Sequence, residues 1–214
     1  MNDQEYYQTI LKRGVDLNAY GYWQQAYAKM IMFVTDSVRV ASNNKSSIVV
    51  DLGCACGTVL KGFKDSKVFN EYIGIDKNKY MIDLGIKTHN FQYKELYNMD
   101  ITEQPLPCED NSVTLINCMN TLEQIPKDKI KFVINEMHRV LLVNEGSIFI
   151  NIPLAKTVNE YSWWKNLFLT KFIIDENIHH RYVYESKYGP GGDNKTFHDH
   201  YKAMWTIFGL RKEK

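Results

Sequence analysis

The stretch VVDLGCACGT, residues 49–58, packs two glycines, two cysteines and one alanine into a turn that directly follows an apolar run. Its β-branched opening, IVVDLG over 48–53, reads as a buried strand meeting that turn. The glycines nearly spell a dinucleotide fingerprint, and the cysteine pair nearly spells a redox or metal motif. A fingerprint needs G-x-G-x-x-G/A. Here the series runs Gly53-Cys54-Ala55-Cys56-Gly57-Thr58, with alanine at the second glycine and the third glycine misplaced. The remaining cysteines, Cys108 and Cys118, are not a second close pair. Zinc needs three or four ligands at characteristic spacings, so no metal site is expected and the cysteines read as compact fillers of the turn.

Outward from the turn, strands and helices alternate. TVLKGFKD is a short helix, EYIGIDKN a second strand closed by Asp76, and KYMIDLGIKTH a second helix. YKELYNMDI supplies a third strand ending near Asp100, and SVTLINCMNTL (112–122) a fourth strand with its loop. DKIKFVINEMHRVLL (128–142) is an amphipathic helix with Ile130, Val133, Ile134, Met137, Val140 and Leu141 on one side. NEG reads as its C-cap, and SIFINIP (147–153) as a fifth strand. This alternation implies an α/β fold: a doubly wound, mainly parallel sheet with helices on both faces. Residues 1 to about 40 read as helical, and so do EYSWWKNLFLTKFII and FHDHYKAMWTIFGL after Pro153, with an aromatic, basic, glycine-rich loop between them. One domain is expected: 1–44 a helical cap, 45–153 a ligand-binding core, 154–214 a substrate-side elaboration.

The 26 basic and 25 acidic residues are interspersed and leave a net charge of +1, so no broad basic field argues for a nucleic-acid partner. No stretch is long and apolar enough to span a bilayer, and MNDQEYYQTI is unlike a signal peptide. A cytoplasmic protein with reduced thiols and no membrane partner is the expectation.

In an open parallel sheet, ligands bind beyond the carboxyl ends of the strands at the topological switch point. Gly53 and Gly57 let the backbone approach a ligand closely. Asp76, closing the second strand, is placed to accept both hydroxyls of a ribose. Asp51, two residues before Gly53, would repel a pyrophosphate but suits a ligand carrying an ammonium group. An adenosine-containing ligand other than a dinucleotide is indicated.

Taken together, four ordered segments resemble the class I S-adenosylmethionine-dependent methyltransferases, of the type 11 group. VVDLGCACGT resembles their first motif, D-x-G-x-G-x-G, with Ala55 at the central glycine. Asp76 in YIGIDKNKYMI matches the ribose-binding acid. MDITEQPLPCEDNSVTLINCMNTLEQIP resembles D-x-x-x-L-P-F-x-D-x-S-F-D-x-V…L-E-H, with Gln124 at the usual His. INEMHRVLLVNEGSIFINIP resembles E-x-x-R-V-L-K-P-G-G-x-L-x-I-x-x-P. The match spans about residues 45 to 153 and implies a Rossmann-like fold with S-adenosyl-L-methionine as cofactor and S-adenosyl-L-homocysteine as product.

The resemblance assigns Asp51, Gly53, Cys54, Ala55 and Gly57 to the methionine end. Asp76 is assigned to the ribose and Asp100, with Ile101 beside it, to the adenine, and Lys77 and Met81 are further cofactor-binding candidates. Cys118 and Met119 would border the sulfonium, mainly through their backbone. His138 and Arg139 read as surface or capping groups. The expected acceptor is a small molecule methylated at oxygen; RNA or protein methylation and a non-catalytic, cofactor-binding role are the alternatives. The loop NCMN lacks the Asn-Pro-Pro-Tyr-like pattern of many amino-methylating enzymes. Candidates for a general base are His180, His198 and His200, with His179 and Asp199 nearby. Tyr20, Tyr22, Trp23, Arg181 and Tyr182 are candidates for the acceptor side, as are Trp163 and Trp164. With FHDHYKAMWTIFGL read as a helix, the usual sixth and seventh strands find no place. The fold is then expected to lack them, with a loop, a C-terminal segment or a second copy of the chain covering the open edge.

Overall fold

The computed structural model describes residues 28–29, 31–32, 35–43, 46–153, 158–178 and 205–214. In chain order the elements are α1 (Ser37–Asn43), β1 (Ile48–Leu52), α2 (Thr58–Ser66), β2 (Glu71–Asp76), α3 (Lys79–His89), β3 (Leu96–Asn98) and β4 (Leu115–Met119). A 3-10 turn at Leu122–Gln124 leads to α4 (Ile130–Val140), β5 (Ser147–Pro153), α5 (Val158–Leu169), β6 (Ile173–Ile174) and β7 (Trp205–Arg211). The strands form one sheet in the order β3-β2-β1-β4-β5-β7-β6, parallel except for β7, which runs antiparallel to both β5 and β6. The order reverses between β1 and β4, and that is the switch point.

Both faces of the sheet are covered, as the apolar content of β1 demands of a central parallel strand. On one face Val50, Leu52, Ile116, Cys118, Ile148 and Ile150 pack with the stripe Ile130, Val133, Ile134, Met137 and Val140 of α4, and with Leu167 and Phe168 of α5. On the other, Val49, Leu115 and Phe149 pack with Leu60 and Phe63 of α2, Ile82 of α3, and Ala28, Ile31 and Met32. The stripe on α4 recurs every three to four residues, so that helix is amphipathic as its sequence predicts.

Three expectations are corrected. The sheet has seven strands: residues 205–211, read as the end of a helix, form β7 and pair with β5 along its whole length, from Ser147↔Arg211 to Pro153↔Trp205. The spacing of apolar residues in this stretch fits either structure, and the exposed edge of β5 decides between them. Ile173–Ile174, read as the end of a helix, is the edge strand β6. The reason for expecting a second copy over an unfinished sheet therefore falls away. NEG is not a C-cap: α4 ends at Val140, Leu141 is extended and bridges Val113, and Asn144 takes the left-handed turn that leads into β5.

Arg139 is neither a plain surface group nor a cap. Its guanidinium binds Glu136 and Asp110 at 2.8 Å each, and also the carbonyls of Leu106 and Cys108, while Glu136 accepts the amide of Leu106. It fastens the 106–110 loop to α4. Nearby, the buried Lys212 that follows β7 donates to Asn111 Oδ1 and to the His138 carbonyl at the end of α4.

Candidate functional site

The carboxyl end of β1 and the turn after it are built around two backbone positions that need glycine. Gly53 has φ +71°, and a Cβ there would overlap the Thr121 side chain; Gly57 has φ +77°, and a Cβ there would lie 2.7 Å from the Phe91 ring. The Gly53 and Cys54 amides donate to the Ile75 carbonyl at 2.8 and 3.1 Å, tying the turn to β2. Thr121 Oγ1 donates towards the carbonyls of Leu52 and Met119, so it clamps the turn after β1 to the loop after β4. Ala55 stands at φ +50°, a left-handed conformation uncommon for a residue with a Cβ.

That strained turn points the Ala55 amide at Asp76 Oδ2, 2.8 Å away. Asp76 Oδ1 accepts the Asn78 amide at 2.8 Å. Two backbone amides thus orient the Asp76 carboxylate at the end of β2. Asn78 caps α3 by accepting the Met81 amide, and its own buried Nδ2 has no hydrogen-bond partner among the described residues. Asn98 Nδ2 binds the carbonyls of Asp76 and Lys77, which holds the end of β2 against β3. Lys77 is exposed; Met81 and Ile101 are buried.

Asp51 is buried on β1 and accepts Asn117 Nδ2 at 2.7 Å. Burial pushes its carboxyl up to about 7; the Asn117 bond opposes the shift and the neighbouring Asp76 charge adds to it. Asp100 behaves in the opposite way. Burial acts to raise it, but the Thr102 amide and hydroxyl on Oδ1, with Lys77 and Lys129 near, hold it below the usual carboxylate range.

Burial raises the thiols of Cys54, Cys56 and Cys118, which makes them packing groups rather than nucleophiles. The Cys118 side chain lies in the core on the face opposite Asp51 and Asn117. Of the expected site residues, Asp51, Gly53, Cys54, Ala55, Gly57, Asp76, Lys77, Met81, Asp100, Ile101, Cys118 and Met119 all lie at or just beyond the carboxyl ends of β1, β2, β3 and β4. Trp163 and Trp164 are half-buried on α5, packed against each other. Tyr20, Tyr22, Trp23, His179, His180, Arg181, Tyr182, His198, Asp199 and His200 lie outside the described residues.

Residues 49–144 match the profile of a family described as a methyltransferase domain. Over that stretch the chain carries a methyltransferase domain. S-adenosylmethionine is the cofactor of such methyltransferases, and the cradle fits it: a glycine turn closed tightly against Thr121 and Phe91, an acid at the end of β2 held by the turn's amide, and buried amide groups, Asn78 Nδ2 and Asn117 Oδ1, without a hydrogen-bond partner among the described residues. The whole methyltransferase fold resembles solved structures. A TehB-like SAM-dependent methyltransferase from Corynebacterium glutamicum superposes with a TM-score of 0.59 at 13% identity, over 98% of this chain and 96% of that one. The StiE O-MT domain gives 0.61 at 13% identity, over 98% and 82%. The [4+2]-cyclase SpnF gives 0.58 at 14% identity, over 89% and 83%. At these identities the likeness concerns the fold. No curated protein matches the sequence at a significant level.

Reading the sequence missed Asn117, Thr121 and Asn151. Asn117 and Asn151 are polar side chains in the buried strands LINCM and SIFINIP, each with an Oδ1 that has no hydrogen-bond partner among the described residues. A polar residue inside an apolar central strand is itself the signal, because burial without a partner is costly. Thr121 gave no such signal, since its bond to Leu52 spans 69 positions.

Proposed function

We propose that this methyltransferase acts on a small molecule in the cytoplasm, at an oxygen. The observation that carries the reading is the chemistry of the side chains at the carboxyl ends of β4 and β5. Asn117, Met119, Asn120, Thr121 and Asn151 are all neutral, and the chain as a whole is nearly so. A surface for a polyanion needs a basic stripe, which the net charge of +1 does not supply. Likeness of fold to the StiE domain, an O-MT, supports oxygen as the acceptor atom.

When bound, S-adenosylmethionine supplies an electrophilic methyl group. The chain's own work is to hold and align: Asp76 takes the ribose hydroxyls, Asp100 the adenine amine, and the turn from Gly53 to Gly57 fixes the distance between backbone and ligand. Thr121 keeps the two loops in register, which matters because an in-line displacement is sensitive to alignment. A hydroxyl acceptor also needs its proton removed, and His180, His198 and His200 are the proposed bases. Residues 154–214 are proposed to supply the acceptor side together with Tyr20, Tyr22, Trp23, Arg181 and Tyr182 from both flanks. In this division 1–44 is the cap and 45–153 the cofactor core, all within one domain.

The test is to incubate the protein with methyl-labelled S-adenosylmethionine and three separate acceptor pools: small hydroxylated metabolites, total RNA and denatured protein. Label in small molecules as a methyl ether is the expected result. Label confined to RNA or protein overturns the reading.

A further inference from the structure

Asn151 lies near the carboxyl end of β5, level in register with Met119 of β4. Its side chain is buried, and its Oδ1 has no hydrogen-bond partner among the described residues. The adjacent Ile150 and Ile152 pack into the core on the α4 side of the sheet. Alternation along the strand therefore sends Asn151 to the other face, the one that carries Phe149 and Met119. Its main chain is held from both sides: the Asn120 amide donates to the Asn151 carbonyl at 3.1 Å, and Asn151 pairs with Ile207 of β7. The unpaired oxygen is thus not the frayed end of a strand. A buried acceptor left in this state is destabilising unless a ligand brings the missing donor.

Position separates this oxygen from the cofactor cradle. Asp51 of β1 is level with Asn117 of β4, which is level with Phe149 of β5. Asn151 is thus two strands from Asp51 and two residues farther towards the carboxyl end, about 10 Å across and about 7 Å along. The strands β2 and β3, which lead to Asp76 and Asp100, lie on the opposite side of β1. Asn151 belongs with the acceptor. Methylation at a hydroxyl joins its oxygen to the methyl carbon and releases its proton to a base. An amide does not titrate near neutral pH, and its oxygen only accepts a hydrogen bond. A hydroxyl held by Asn151 keeps its proton, so the oxygen that reacts is a different one. We propose that Asn151 is an acceptor-recognition residue whose Oδ1 receives a second, unreacting hydroxyl of the methyl acceptor. The substrates are then polyhydroxylated compounds, of the diol, catechol or sugar kind, and the product keeps a free hydroxyl. This inference rests on the proposed function above, methylation of a small molecule at oxygen.

The experiment starts from the compounds that the intact protein labels in the pool of small hydroxylated metabolites. Mass spectrometry is expected to find a free hydroxyl beside the methyl ether in each product. With the best-labelled acceptor, Asn151→Leu should raise KM by roughly ten- to a hundredfold and change kcat far less. An analogue of that acceptor without the second hydroxyl should react alike with both proteins. S-adenosylhomocysteine should bind the variant within about twofold of the parent in isothermal titration. An unchanged KM, an equal penalty on the analogue, or a matching loss of S-adenosylhomocysteine affinity overturns the proposal. Methyl ethers formed on compounds with a single hydroxyl overturn it too, and leave the reading of an oxygen acceptor standing. Label on nitrogen, only in RNA or protein, or in no pool overturns that reading and this proposal with it. Should Asn151→Leu fail to fold by circular dichroism, Asn151→Val, which suits a strand, takes its place with the same selective loss expected.

Discussion

The two ends of the sheet treat charge in opposite ways. At the amino end, Arg139 is matched by Glu136 and Asp110, and its remaining donors meet backbone carbonyls, while Lys212 meets Asn111 and the end of α4. Those charges neutralise or satisfy one another. At the carboxyl end, Asp51 and Asp100 are hydrogen-bonded only to neutral donors, Asn117 and Thr102, and among the described residues neither forms an ion pair. One set of charges is answered by the chain itself; the other, Asp51 and Asp100, is the set proposed to meet the cofactor. The contrast separates residues kept for stability from residues kept for binding.

The sharpest test of that separation is Asp76→Ala. Asp76 is oriented by two backbone amides for a ligand, so its loss should weaken S-adenosylhomocysteine by on the order of a hundredfold or more. Isothermal titration measures this, and an unchanged affinity would break the assignment of the carboxyl end to the cofactor.

A smaller effect comes from pH. With its carboxyl raised to about 7, Asp51 is largely protonated in mild acid and ionised in mild alkali. A cationic ligand favours the ionised form, so affinity for S-adenosylhomocysteine should rise through pH 7, by at most about tenfold per unit below it. Asp51→Asn should flatten that profile. For the ligand-free fold the sign reverses: an acid whose folded pKa is raised contributes stability in acid that is lost as the pH climbs towards 7. Thermal melts with and without ligand across pH 5 to 8 would show the two trends diverging.

The amino end should respond in stability instead. Arg139→Ala should lower unfolding free energy by roughly 1–3 kcal/mol, because it strips the 106–110 loop of several bonds from a partly exposed group. Its affinity for S-adenosylhomocysteine should stay within about twofold of the parent in titration. A large loss of affinity there would merge the two ends into one network. The smallest expected change is Ala55→Gly. Relief of the left-handed strain, offset by greater freedom of the unfolded chain, should leave a gain of up to about 1 kcal/mol in chemical denaturation.

The cofactor half was legible because its chemistry is local. The strand-turn-helix around Gly53 and Gly57, and the acids closing β2 and following β3, sit at fixed offsets that a linear reading can follow. What escaped depends on distance. WTIFGLR has aromatic and β-branched residues that suit a strand and a spacing that also suits a helix, and only the unpaired edge of β5 settles the matter. The Asn117–Asp51 pair joins positions 66 apart. It becomes visible only once the register of β1 against β4 is known. Arg139 looks peripheral in the sequence for the same reason, since its partners on the 106–110 loop lie about 30 positions upstream.

The placement of β7 between β5 and β6 also bears on how the chain comes to be folded. Every β5–β7 pair joins residues about 50 to 65 positions apart, whereas β1 to β5 can assemble in order as they leave the ribosome. Until residues 205–211 emerge, the nascent sheet presents the bare hydrogen-bonding edge of β5, an aggregation-prone state that ends only when a late, antiparallel strand slots in. Closing the sheet is then the last pairing to form, across a separation close to the 66 positions that part β1 from β4, and synthesis that stalls before residue 205 leaves β5 as an open template.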